Sequence, residues 1–303
     1  MKHIILIMTL LFVTATVWSQ DSELKGRISA QEYIAFKQNR DPIFFHDGVR
    51  RPTDTNVDFF IRNWEESSGH IGHGGFVEQP YFTRGNPANP TVPGAILTYI
   101  KEYDHGILAP GSITLQTKHD TEQVFFFVLG GIGTVEAGSK TVMLEEGTGI
   151  FIPAGLAYQF INTGDDALEV VIIVEEITEG FQPQKEMLSG SYHNSKPSYG
   201  GHWCHVLRNI LSGAKYANPL SIFVVSIESF DMAHPHAHVE KAEEIWNQFK
   251  GDSLLSVGKY LRHQSVGTAF MAPPDSISAH SSINYDGKPQ FWLYTSVRYD
   301  TIK

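Results

Sequence analysis

Three of the chain's 14 histidines fall within five residues, in the run His234-Pro235-His236-Ala237-His238. Density alone would describe an exposed turn, but acids and a later histidine lie within reach. Side chains alternate along a strand, so histidines two apart look the same way, about 6.6 Å from each other. A carboxylate from the Glu243-Glu244 pair, brought round on a hairpin partner, would meet them, and His280 from a later strand would close the set. Three imidazoles and one carboxylate leave open positions on an octahedral ion. Such a set suits Fe(II), Mn(II), Ni(II), Cu(II) or Zn(II), and spacing does not choose among them. Register leaves two alternatives open here: Glu243 in place of Glu244, and His234/His236 in place of His236/His238.

Other residues offer chemistry with a plainer reading beside it. Tyr260, Arg262 and His263 share one strand-like run, and alternation puts Tyr260 and Arg262 on one face. If that face looks inward, a phenol and a guanidinium are placed to hold an anionic substrate; otherwise it is a solvated face. His70 and His73 sit in GHIGHGG, a loop able to cover a pocket mouth, or an ordinary surface loop. The run His202-Trp203-Cys204-His205 supplies no fourth ligand at a recognisable metal spacing. Cys204 is the only cysteine, so no internal disulfide exists, and it is expected to be a free thiol without a catalytic role. Trp246, Phe291, Trp292 and Tyr294 read as core rather than as pocket wall.

Lys and Arg number 23 against 33 Asp and Glu, and no basic cluster offsets the formal charge of -10. That balance argues against a phosphate backbone as partner. A hydrophobic fraction of 42% with 18% charged residues excludes wholesale disorder. At the start, Lys2, the apolar run Ile4 to Val13 and the small Val17 and Ser19 predict a signal peptide over residues 1–19. The mature chain is then expected to begin at Gln20 or Asp21 and to be periplasmic or secreted. The apolar run is too short to span a membrane.

The elements that must position these residues read mostly as strands. Ala30 to Lys37 predicts a helix capped by Ser29, and Val57 to Trp64 a second short one. Asn86 to Gly94, NPANPTVPG, reads as loop or linker. From Ala95, runs such as VFFFVLG, GTVEAG, GIFIPAG and LEVVIIVEE recur at the spacing of an all-β sandwich or barrel. A second block carries SIFVVSIESF, EIWNQFKG, LLSVGKYL and FWLYTSV. The expected organisation is an extension and linker over 20–94, a barrel over 95–177, a connector over 178–217 and a second barrel over 218–303.

The two blocks overlay on each other. Gly147 and Gly267, like Pro153 and Pro273, lie 120 apart; Gly130 and Gly251 lie 121 apart, and Asn162 and Asn284 122 apart. At these residues the chain resembles the cupin superfamily, whose motifs run G(X)5HXH(X)3–4E(X)6G and G(X)5PXG(X)2H(X)3N. Block one reads Gly147, Pro153, Gly155, Tyr158 and Asn162 for the second motif, with Tyr158 where His belongs. For the first it reads Thr117, His119, Gln123 and Gly130, with Thr117 and Gln123 replacing His and Glu. Block two reads His236, His238, Glu244 and Gly251, then Gly267, Pro273, His280 and Asn284. Its His-to-Glu gap is one residue longer than the pattern, Asp275 takes the place of Gly, and the turn before His280 is two residues longer.

The resemblance implies an all-β bicupin of exported bacterial type, with two jelly-roll barrels and a short mixed N-terminal extension. It favours Glu244 over Glu243, and His236, His238, Glu244 and His280 as ligands of one divalent transition metal. Glu244 would also serve as the catalytic proton acceptor, with Tyr260 and Arg262 as substrate contacts. Barrel one, lacking ligands at its matched positions, is expected to fold and stay metal-free. A dioxygenase-type oxidoreductase acting on a small organic molecule is the leading functional expectation. A metal-dependent lyase, isomerase or hydrolase on a carbohydrate or small carboxylate competes with it, as does a non-catalytic ligand-binding cupin. A homodimer packed through the barrels is the expected assembly.

Overall fold

Strand Glu122–Gly130 sorts its side chains by parity. Val124, Phe126 and Val128 enter one buried cluster with Ile150, Val170 and Ile172. Phe125 and Phe127 enter another with Val171, Ile173 and Trp246. A strand apolar on both faces must be covered on both faces, and that is how this one sits. The computed structural model describes residues 55–199, 205–239 and 241–299. Among them every regular element is a β-strand or a single 3-10 turn. The signal peptide over 1–19, the helix over Ala30 to Lys37 and Cys204 lie outside the described residues.

Two units repeat one plan. The first unit's large sheet runs Leu188–Ser191, Thr148–Ile152, Glu122–Gly130, Leu168–Glu176, Glu102–Leu108, Phe76–Arg84 and His70–Gly72. The second's runs Ile61–Asn63, Thr268–Met271, Ala242–Lys250, Gln290–Arg298, Leu220–Ile227 and Val206–Asn209. Each has a three-stranded companion sheet: Tyr158–Asn162, Gly133–Ala137 and Lys140–Leu144 in the first, Tyr260–Gln264, Ser253–Val257 and His280–Ile283 in the second. This is the expected all-β architecture of paired jelly-roll type.

The sheets extend past the boundaries expected from sequence. Phe76–Arg84, placed above in a linker, is a nine-residue strand paired with Glu102–Leu108. Ile61–Asn63 covers the edge of the second unit by pairing Ile61 with Phe270. The connector gives Leu188–Ser191 to one unit and Val206–Asn209 to the other. An uncovered edge leaves backbone donors and acceptors unpaired, which is why these flanking segments are drawn in. The helix expected over Val57 to Trp64 is instead two 3-10 turns, Val57–Phe59 and Trp64–Glu66, around that edge strand. Asn56 and Asn63 each cap a turn by accepting from the N–H two residues on, which starts it locally.

Strand register fixes the internal alignment. Phe126 pairs with Ile150, and Trp246 with Phe270, each partner 120 residues on. Val124 therefore matches Glu244, and Gln123 matches Glu243. The sequence alignment had set Gln123 against Glu244; the sheets correct it by one residue. Gly131 and Gly251, both with φ in the left-handed region (84° and 70°), are the matched turn glycines rather than Gly130 and Gly251.

Candidate metal centre

His236 and His280 face each other across an antiparallel bridge. The His280 N–H donates to the His236 carbonyl at 2.8 Å, and the His236 N–H to the His280 carbonyl at 3.3 Å. Opposed residues of such a pair share a face, and the two rings lie 4.6 Å apart. His238, two residues on, returns to that face, 4.9 Å from the His236 ring and 5.2 Å from the His280 ring. Glu244 points inward from Ala242–Lys250. Its oxygens lie 3.8, 2.9 and 3.6 Å from Nε2 of His236, His238 and His280. One donor atom from each residue falls within 4.8 Å of all the others. Metal–ligand bonds of about 2.1 Å place cis ligands roughly 3 Å apart and trans ligands roughly 4.2 Å apart, so the set fits one ion.

Proton positions agree with that fit. His236 Nδ1–H donates to the His234 carbonyl at 2.9 Å, which turns its Nε2 toward Glu244. Nε2 of His238 and both ring nitrogens of His280 are buried and make no hydrogen bond. Orphaned imidazole nitrogens at 4% and 0% residue exposure are unfavourable unless something else binds them. Burial pushes His280 down, and the neighbouring imidazoles push the same way, toward the neutral form that ligates. Burial alone would raise the Glu244 carboxyl, but the three imidazoles outweigh it and hold it well below the usual range. Trp246 Nε1–H donates to one Glu244 oxygen at 2.9 Å, and the Tyr294 hydroxyl donates to the other. Burial, with Glu244 beside it, raises Tyr294, so its phenol keeps the proton it donates.

The open alternatives close. Glu243 points out of the other side of the strand and accepts from the N–H groups of Thr98, Tyr99 and Ile100 at 2.6, 3.2 and 2.9 Å. His234 is exposed, and its carbonyl orients His236. Tyr260 and Arg262 do not reach the centre, contrary to expectation. Arg262 pairs with Asp58 at 2.7 Å on an exposed surface, and its guanidinium lies over the Tyr260 ring. The 3-10 turn carrying Asp58 approaches that side of Tyr260–Gln264 and draws the cation outward.

The centre opens on a cavity of about 410 Å³. Trp246, Trp292 and Tyr294, expected as core, form its wall together with Phe223, and Arg298 and His205 line it too. His205 belongs to the run set aside above. It is buried edge-on to Trp292, with ring centroids 5.6 Å apart, and stands outside the four-donor group. Its place follows from the pairing of Val206–Asn209 with Leu220–Ile227, which the sequence pattern did not reveal.

In the first unit, Thr117 and Tyr158 form the bridge that matches His236 and His280. His119 Nε2 and the Tyr158 hydroxyl are hydrogen bonded at 3.2 Å. Val124, at the Glu244 position, packs in the apolar interior. Gln123 faces out and donates to Glu175 and to the Lys215 carbonyl. One nitrogen and no carboxylate remain at the matched position.

Fold and site thus define an all-β chain of two repeated units, one holding a three-histidine, one-glutamate set. Residues 105–174 match the family model for the cupin domain. Over 84 residues the chain is 27% identical to an uncharacterized protein of Streptomyces coelicolor, covering 26% of this chain and 78% of that one. An oxalate decarboxylase of Bacillus subtilis is similar in fold, with a TM-score of 0.58 at 11% identity over 81% of each chain. Vicilin from Corylus avellana is similar as well, with a TM-score of 0.58 at 14% identity over 80% of this chain and 86% of that one. Residues 105–174 thus carry a cupin domain, and the fold of the chain is similar to that of these proteins over about four fifths of its length.

Proposed function

We propose that the chain is a metal-dependent enzyme of dioxygenase type acting on a small organic molecule in the second unit. The observation that carries this is the four-donor set opening on an aromatic-walled cavity with Arg298 on its lining. His236, His238, Glu244 and His280 would hold one divalent ion. Such an ion, when bound, supplies open positions that polarise a substrate oxygen and, if redox-active, admit dioxygen. Trp246 and Tyr294 donate to both Glu244 oxygens and so fix the carboxylate as a ligand; held well below the usual range, it is a poorer acceptor for a substrate proton than its sequence position implied. Trp292 and Phe223 keep water off the substrate, and Arg298 is placed to hold an anionic end.

Arg298 also favours a second reading, a lyase on a small carboxylate, and the fold likeness to oxalate decarboxylase points the same way. Solved forms of that Bacillus protein are described as having Mn(II) centres. Oxygen uptake by the metal-loaded protein, screened over phenolic and sugar-derived compounds, tests the first reading. Turnover without oxygen consumption would replace it with the second. A loaded protein that binds ligands and turns none over would make it a non-catalytic cupin. Export after cleavage near Gln20 and homodimer formation belong to the same proposal. Intact mass from the native host and sedimentation check them, and a mass including Met1 would refute export by that signal.

A further inference from the structure

We propose that the first unit, expected from its sequence to stay metal-free, carries a divalent-cation site built from His70, Glu78 and Asp104, beside the position that matches the second unit's centre but on other residues. Register brings the three together. Glu78 pairs with Gly106 and Pro80 with Asp104, so both acids leave the same face of adjacent strands. His70 stands directly opposite Glu78 on the next strand. One donor atom from each lies within 4.8 Å of the other two.

The acids are 1% and 2% exposed. Two carboxylates out of water and this close repel each other, and a cation between them removes both penalties. Glu78 Oε1 has a partner in His73 Nδ1 at 2.8 Å. Glu78 Oε2 is buried, makes no hydrogen bond, and lies 3.6 Å from His70 Nε2. The chain is shaped to leave this carboxylate its room. A Cβ on Gly72 would stand 2.2 Å from Glu78 Oε2. The turn then places His73 at φ 39°, in the left-handed region that non-glycine residues rarely occupy, and that conformation sets its ring against Glu78.

This is not a shifted copy of the second unit's centre. The matched strands there carry Leu207 and Phe223 at the positions of Glu78 and Asp104. Two carboxylates and one imidazole form a harder set than three imidazoles and one carboxylate, so Mn(II) is the ion to try first. His73 would be the positioning residue, orienting Glu78 through its second oxygen. The inference does not depend on the reaction proposed for the second unit.

The test is ion stoichiometry. The full-length protein is stripped with chelator, dialysed against Mn(II) alone, and its metal measured per chain, with circular dichroism to follow folding. We expect two ions in the unchanged protein, one in E78Q/D104N and one in H236A/H280A. The His70 side chain is half exposed, so H70A should keep the fold. It should raise the Mn(II) concentration that half-fills the second site at least as much as an outer-shell loss does, about 10- to 100-fold. If E78Q/D104N fails to fold, H70A decides. A single ion in the unchanged protein that H236A/H280A removes would overturn the proposal. So would unchanged uptake in both E78Q/D104N and H70A. Failure of the second unit's site would show separately, as H236A/H280A holding as much metal as the unchanged protein.

Discussion

Glu244 concentrates the energetics of the second unit in one side chain. It is buried, held by Trp246 and Tyr294, and surrounded by three imidazoles, two of which, His238 and His280, have buried nitrogens that make no hydrogen bond. Removing one of four good ligands should weaken binding sharply. We expect His280→Ala to lose the second unit's metal and all activity, read by elemental analysis beside turnover. Retained metal in the His236→Ala/His280→Ala double variant would break the assignment. Asp104 supports a different kind of prediction. Burial, then Glu78 and Glu102, push its carboxyl up to about 8, against about 3.9 in an unfolded chain. Between those values the folded chain keeps a proton that the unfolded chain has released. This contribution is therefore complete below about pH 4 and lost as pH rises through about 8, at up to roughly 1.4 kcal/mol per unit. In chelator, the melting temperature should fall between pH 6 and pH 9, and Asp104→Asn should flatten that slope. Parallel profiles for the two proteins would place the titration elsewhere.

Elements explain which parts of this were legible in the sequence. The ligand pattern of the second unit survives reading because strand alternation writes it directly: His236 and His238 two apart, then an inward-facing Glu. The same alternation misled in the first unit. His119 to Val124 spans one residue fewer than His238 to Glu244, and a turn of different length hides which member of the next strand faces in. Only pairing of Phe126 with Ile150 settles it. Alternation puts Tyr260 and Arg262 on a common face, as their stacked side chains show, but the choice between interior and surface belongs to Asp58, far away in sequence. Trp246 and Trp292 could not be told from core, since a cavity wall and a core use the same residues. Tyr158 illustrates what the first unit does with its lost ligand. It packs edge-on against Phe126 and Phe160, with ring centroids 5.7 and 5.9 Å away, and it is buried. Tyr158→Ala should cost about 3–5 kcal/mol, as large aromatic truncations do. Denaturant unfolding measures that, and the second unit's metal content should not change. Loss of that metal would show Tyr158 acting across units.

At the scale of the whole molecule, the two units share one buried cluster beside the first unit's own. Phe125, Phe127, Val171 and Ile173 face out of the first unit and join one buried cluster with Ile222, Val224, Ile245 and Trp246 of the second. Phe127 meets Phe249 edge-on at 5.2 Å, and Tyr192 of the connector packs against both rings. Edge strands cross between segments as well: Ile61–Asn63, which precedes the first unit in sequence, completes the second unit's sheet. Neither unit can expose its outer face without uncovering apolar surface that the other depends on. Residues 55–299 should therefore unfold in one transition despite the sequence repeat. Phe127→Ala, at the junction, should lower stability by about 3–5 kcal/mol. It should also bring forward metal release from the second unit, although the side chain lies outside the four-donor set. Following near-ultraviolet dichroism and metal release in the same denaturant series checks this. Coincident midpoints that move together in Phe127→Ala are expected. A first-unit transition that shifts while metal release stays in place would mean the junction is only a contact between two independently stable units.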